Sequence, residues 1–368
     1  MLHDYSKNNI FNELLEYIDN KNLEVFLVHN FTPHITNKLN SITGKVIVLF
    51  YIGDYFLYNL LDEILCNSRI YKEQHGKLKN YYVILSVHDI EESIKKEYVD
   101  EFTFICNPLF YVYFTGIFKS SSTNLSKNKK LYFLSFNGRA DASRQSLFYF
   151  FNKFSLLEKS YFSYFGSMSE AKFSKFKSIN EIASSLIENG TPWYLQGLDF
   201  NELNKQIPLK IPGHGYESKS NAYGSAESFL YDDTFCSIIT ETYYKENYPY
   251  FTEKTFRSIS RAHPFILFSS RNGLKLLQGM GFKTFSNFWD ESYDGLRDNQ
   301  RLEAIMHLIL EIGNWSIEKI NNVHEKIIPI LEHNKNHFYN ELPKLFKDYK
   351  LKLFNQIKLV TEEKQNLI

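Results

Sequence analysis

Residues Phe235 to Ser270, FCSIITETYYKENYPYFTEKTFRSISRAHPFILFSS, constrain the fold more than any other stretch of the chain. Phe235 to Thr240 is a short apolar, β-branched run suited to a buried strand, and it ends at Glu241. A polar, tyrosine-rich loop follows. Thr252 can cap a predicted helix over about residues 253–262, which puts Glu253 and Lys254 in the first turn, and Pro264 stops that helix before a second apolar strand, Phe265 to Phe268. The result is a β-α-β unit of an α/β sheet.

Lys254 carries the chemical information in this unit. A cation in the first helical turn opposes the macrodipole by about 0.3–1 kcal/mol unless something negative sits there. A bound diphosphate removes the conflict, because exposed N–H groups at a helix start favour phosphate and the lysine adds a charge-assisted contact. Pairing with Glu253 or Glu241, or simple exposure to solvent, removes it too. A second cation repeats the pattern upstream, in LYFLSFNGRADASRQSLFYFF. There Leu131–Phe136 reads as a strand, Asn137–Gly138 as a tight turn, Asp141 or Ser143 as a helix cap, and Arg144 falls in the first helical turn. Two such cations in one domain favour a shared anion over two separate accidents.

The remaining segments organise around these two. The chain has 368 residues, 43% hydrophobic and 23% charged, enough for two globular domains. Residues 8–20 read as an amphipathic helix with Ile10, Leu14, Leu15 and Ile18 on one side. Leu23–His29, Gly44–Tyr51, Tyr81–Val87 and Phe102–Cys106 read as strands, with a helix at Leu57–Cys66. Strands separated by helices point to a parallel sheet. His29, His34, His88, Asp54 and Asp89 lie at or just beyond strand ends, without the spacing of a metal site. Residues 119–130, KSSSTNLSKNKK, read as a linker. This divides the chain into 1–125, 131–340 and a C-terminal helix, 341–368, able to pack back on the first domain. In the second domain further strands are expected at 160–166 and Phe282–Phe285, and helices at Ile179–Ile187, Leu274–Gln278, 302–312, 315–333 and 338–357.

Charge and cysteine usage exclude other classes. Net charge is zero, so no general nucleic-acid field is visible. Three scattered cysteines with no CxxC pair fit a reducing compartment. A charged N-terminus and the lack of a membrane-length apolar run make a cytoplasmic protein the expectation. The abundance of aromatics, 33 Phe and 26 Tyr, accompanies much Asn, Lys and Ile, as an AT-rich genome produces.

The motifs ITETYYKENYPYFTEKTFRSISRAHPFIL and SFNGRADASRQSLFYFF resemble, in the same order, the donor-site segments of the α-1,3-fucosyltransferases and related GT-B glycosyltransferases. The likeness covers roughly 50 residues. It implies a GT-B fold, two Rossmann-like domains facing across a cleft, the first binding acceptor and the second a nucleotide-sugar donor. Carried over by position, it implies that Arg144 and Lys254 neutralise the donor diphosphate, that Tyr250 and Glu253 contact nucleoside or sugar, and that Glu241 lies beside the sugar ring or ribose. Where the family has a Phe-Glu-Asn run at the strand end, this chain has Thr240–Glu241–Thr242, which leaves the donor's identity open.

The resemblance further implies an inverting, metal-independent transfer with no cofactor beyond the nucleotide-sugar itself. The general base would be a carboxylate of the first domain. The segment VDEFTFICNPLFYVYF places Glu101 first, with Asp89 second. A glycan is the expected acceptor. A hydroxylated base in DNA, as used by phage and viral sugar transferases, is the alternative, and a non-catalytic sugar-nucleotide or glycan-binding protein is a third reading. Asp232–Asp233 lacks the spacing of a metal-binding DxD and reads as a turn or cap. Nothing in the sequence fixes the oligomeric state.

Overall fold

The computed structural model describes residues 24–28, 46–51, 57–76, 81–86, 96, 98, 102–106, 115, 118, 124–167, 178–188, 190–211, 228–242, 244, 249 and 251–365. The chain divides into two compact units, Met1–Tyr113 with Leu342–Ile368, and Phe114–Glu341. In the first, β1 (Glu24–Val28), β2 (Val46–Tyr51), β3 (Tyr81–Ser86) and β4 (Phe102–Cys106) form a parallel sheet in sequence order, with α1 (Leu57–His75) between β2 and β3. Val46, Ile47, Tyr82, Val83, Phe102 and Ile105 are buried, so these strands read as continuous apolar runs. The C-terminal helix Leu342–Gln365 packs against β2, β3 and β4. The predicted helix at 8–20 lies outside the described residues, as do His29, His34, Asp54 and His88.

The second unit runs β5 (Leu131–Arg139), α2 (Ala142–Lys153), β6 (Ser160–Ser167), α3 (Ile179–Ile187), α4 (Phe200–Asn204), α5 (Ser228–Asp233) and β7 (Thr234–Thr240). It continues through α6 (Glu253–Ser260), β8 (Phe265–Phe268), α7 (Gly273–Gly279), α8 (Asp298–Gly313) and α9 (Ile317–Asn336). A π turn at His337–Glu341 leads into the C-terminal helix, α10. The strands form a second all-parallel sheet in the order β6-β5-β7-β8. Every residue of β7 and β8 is buried, and α2 buries eight consecutive residues, Arg144 to Phe151, between the sheet and helices α3 and α8. A helix apolar on all sides belongs in the interior, as this one is. No helix among the described residues is long and apolar enough to cross a membrane.

Three segments differ from the sequence expectation, each for a local reason. Asn137–Gly138 does not turn: β5 continues to Arg139, pairing with β6 through a register shift between Asn137 and Arg139. The described part of the expected linker, 124–130, is not free. Lys129 is buried, and its Nζ donates to the carbonyls of Tyr231 and Asp232 at the end of α5, both at 3.1 Å, while Lys127 pairs with Asp233 at 2.7 Å. Burial pushes the Lys129 amine down to about 8. Phe282, Thr284 and Phe285 are buried and Lys283 is exposed, but the segment forms no strand, because side chains take its backbone groups. Asn334 exchanges two hydrogen bonds with Lys283, and Glu291 accepts from the Phe285 N–H at 2.8 Å.

Glu291 makes the stability of this unit pH-dependent. Burial raises its carboxyl to about 7, against hydrogen bonds from Thr284 and Phe285 that oppose the rise. A carboxyl raised on folding contributes stability that is complete below its unfolded value near 4.5 and is lost as pH climbs through about 7. Moving from pH 5 to pH 8 should therefore cost about 2–3 kcal/mol through this group. Urea unfolding at the two pH values is expected to show this drop in the native protein and a much smaller one in Glu291→Gln; equal drops would contradict the assignment.

Candidate functional site

The second sheet splits between β5 and β7. From β5 the chain moves outward to β6, then returns past β5 to β7 and continues to β8. Right-handed crossovers then place α2 and α6 on opposite faces. The packing agrees: Phe133 of β5 meets Phe151 of α2, ring centroids 5.8 Å apart, whereas Phe136 lies under the guanidinium of Arg257 of α6 at 4.8 Å. Where neighbouring strands send their connections to opposite faces, a crevice opens beyond their carboxyl ends, the usual ligand position in such sheets. Both cation-bearing helices start there.

Arg144 is bound to the end of β7. Asp141 caps α2 by accepting from the Arg144 N–H at 2.9 Å, and its other oxygen pairs with Arg144 Nη1 at 2.6 Å. Nε donates to Thr240 Oγ1 at 3.2 Å, and Nη2 to the carbonyls of Thr240 and Glu241 at 3.1 and 3.3 Å. The Thr240 hydroxyl donates in turn to Asn137 Oδ1 at 2.8 Å, and Asn137 Nδ2 donates to the Ser163 carbonyl of β6. One polar network thus ties the ends of three strands to the start of α2. Arg144 is 3% exposed, so it is no surface arginine.

Glu241 does the corresponding work for α6. Its side chain is fully buried, and the carboxylate accepts from the N–H groups of Thr252 (3.0 Å) and Thr255 (3.3 Å) and from both threonine hydroxyls. These are the orphan donors of a helix start, satisfied here by a residue from the preceding strand end. Lys254 Nζ sits 3.2 Å from Glu253 and 3.9 Å from Glu241, and donates to Thr252 Oγ1 at 2.9 Å. Burial alone would raise the Glu253 carboxyl, but Lys254 and Arg257 beside it hold it below its ordinary value. The conflict between Lys254 and the helix dipole is relieved by these two carboxylates. Arg144 and Lys254 therefore meet at Glu241, one at its carbonyl and the other at its carboxylate.

Of the residues singled out in the sequence, Arg144, Glu241, Glu253 and Lys254 come together at this crevice. Glu241 faces the start of α6 and not an open sugar position. Tyr250, Glu101 and Asp89 lie outside the described residues. Sequence reading missed Arg257, whose signal was its position three residues after Lys254 on the same helical face. With Phe136, Tyr231, Thr240 and Lys254 it lines a small crevice over the β5–β7 split. A larger open cleft, about 570 Å³, runs along α3 and Gly197–Asn201 and contains none of these charged residues. We place the candidate site at the smaller crevice because Lys254 and Arg257 line it over the strand split; Arg144 is not in its lining and reaches it only through its hydrogen bonds to Thr240.

No protein-family model, curated protein or solved structure matches the chain. What the fold itself defines is a mixed α/β protein with two parallel, Rossmann-like sheets.

Replacing Glu241 with Ala leaves the Thr252 and Thr255 N–H groups without their acceptor and removes a partner of Lys254. The expected loss is about 2–4 kcal/mol of unfolding free energy, with Glu241→Gln losing less. Urea denaturation checks this; an unchanged midpoint in Glu241→Ala would show that the carboxylate does not hold α6.

Proposed function

We propose that the chain is a glycosyltransferase of the GT-B kind, moving a sugar from a nucleoside-diphosphate sugar to a hydroxyl of a glycan-type acceptor, with inversion and without a metal. The observation that carries the reading is the coincidence of the β5–β7 split with two helix starts, each bearing a cation in its first turn. The motif resemblance of these segments to the fucosyltransferase donor site points the same way.

In the proposed reaction the acceptor oxygen gives its proton to a carboxylate base of the first unit, with Glu101 first and Asp89 second. That oxygen forms a bond to the anomeric carbon as the bond from that carbon to the diphosphate breaks, and the diphosphate leaves with the electron pair. Arg144 and Lys254 stabilise the charge that develops on the leaving oxygen. Asp141 and Glu253 hold these cations until the donor phosphates take over part of their coordination. Tyr250 and Glu253 are assigned to the nucleoside or sugar by resemblance.

A second reading has its own observation. Both cations already have carboxylate partners, as a sugar-nucleotide-binding protein without transfer activity also permits. Donor hydrolysis or transfer separates the two readings. The chain is expected to release nucleoside diphosphate from at least one member of a panel of nucleotide-sugars, and to keep doing so in a chelator. Lys254→Ala should lower kcat/KM by about 100-fold or more while the circular dichroism spectrum is unchanged. Full activity in that variant would overturn the diphosphate assignment.

A further inference from the structure

Arg144 and Lys254 both rest on one short stretch of backbone at the end of β7. Arg144 donates to the carbonyls of Thr240 and Glu241, and Lys254 Nζ donates to Thr242 Oγ1 at 3.4 Å. Pairing of β7 with β8 ends at Thr240 and Phe268, with a last bond from the Glu241 N–H to the Phe268 carbonyl at 2.8 Å. Beyond that bond, no strand among the described residues holds Thr242 or Tyr244.

Tyr244 is held by the start of α8 instead. Arg301, in the first turn of that helix and 1% exposed, donates through Nη2 to the Tyr244 carbonyl and through Nη1 to the Leu296 carbonyl at 2.8 Å. Its guanidinium lies 4.6 Å from the centroid of the Tyr244 ring, which also meets the Phe268 ring at 6.2 Å. The Tyr244 hydroxyl donates to the Asp298 carbonyl at 2.5 Å.

A guanidinium taken out of water is costly. This one has only a half-exposed carboxylate, Asp298 at 3.5 Å, as its counter-charge, and its Nε has no acceptor among the described residues. A methionine would fill the same space without that cost, so the charge is poorly explained by stability and better explained by selection of one arrangement. Arg144 uses the same device, a buried arginine paired with the aspartate three residues before it and donating to carbonyls at the end of β7. We propose, on the reading of this crevice as a diphosphate site, that Arg301 is a positioning residue for it. By gripping Tyr244 it fixes the backbone from Glu241 to Tyr244, and with it the places of Lys254 and Arg144.

Hydrogen exchange of the full chain, with calorimetric titration by inorganic pyrophosphate and a panel of nucleoside diphosphates, tests this. In Arg301→Met the amides of 241–256 should exchange about tenfold faster while β5 and β6 keep their native rates. Affinity for the diphosphates should fall about tenfold. Arg301→Lys should do no better, because one ammonium cannot reproduce the fork that reaches both carbonyls. Tyr244→Phe keeps the ring and loses only the hydroxyl bond, so it reports even where the Arg301 variants fold poorly; both changes should appear in it at about threefold. Native exchange over 241–256 in the variants, or faster exchange with native diphosphate affinity, would overturn the positioning role alone. A native protein that binds no diphosphate would overturn the diphosphate reading and this role with it. Binding lost in Lys254→Met but kept in Arg301→Met would spare the reading and overturn the role.

Discussion

The second unit depends on the carboxylate of Glu241. It reaches from the end of β7 to the start of α6, where it takes the place a bound anion would have at a helix N-terminus. Through it α6 is fixed against the sheet, Lys254 is drawn toward the strand end, and the peptide carbonyl next to it receives Arg144. Three described cations, Arg144, Lys254 and Arg257, share this region with three carboxylates, Asp141, Glu241 and Glu253, so its formal charge sums to zero. An incoming diphosphate gains from the cations only by loosening a carboxylate. Asp141 and Glu253, with side chains 35% and 20% exposed, are the ones able to give way; Glu241, at 0%, is structural. The proposed donor site is accordingly one in which an internal anion organises the scaffold and two peripheral anions are exchanged for phosphate oxygens.

A similar economy appears elsewhere in the unit. Buried polar groups are satisfied by single side chains, two of them reaching across long sequence distances, Lys129 at the end of α5 and Asn334 along Lys283, and one acting locally, Glu291 at Phe285. Each buries a charge or an amide that would cost several kcal/mol without its partner. Together they fasten the segments that the sheet does not hold, including the stretch leading into β5.

Much of the frame was legible in the sequence because it follows from local pattern. The apolar β-branched runs gave β7 and β8, and Thr252 and Asp141 announced the starts of α6 and α2. The awkward charge of Lys254 was legible too, but its resolution was not, since Glu241 binds Thr255 fourteen residues downstream, a contact that local pattern does not encode. Asn137–Gly138 carried a turn signal that strand pairing with β6 overrode. Phe282–Phe285 had the composition of a strand and lost its ladder to Asn334 and Glu291, and the polar 124–130 segment looked unattached because its partners, the carbonyls at the end of α5 and the Asp233 carboxylate, lie far along the chain.

The central claim is that the crevice between β5 and β7 receives a nucleoside diphosphate. Thermal unfolding across a panel of nucleoside diphosphates is the most direct measurement, because a ligand that binds only the native state stabilises it more as its concentration rises above the dissociation constant. One member of the panel should raise the Tm in a concentration-dependent way, with Arg144→Met and Lys254→Met folded but unresponsive. A Tm indifferent to every diphosphate at millimolar concentration, or a shift preserved in both variants, would contradict it.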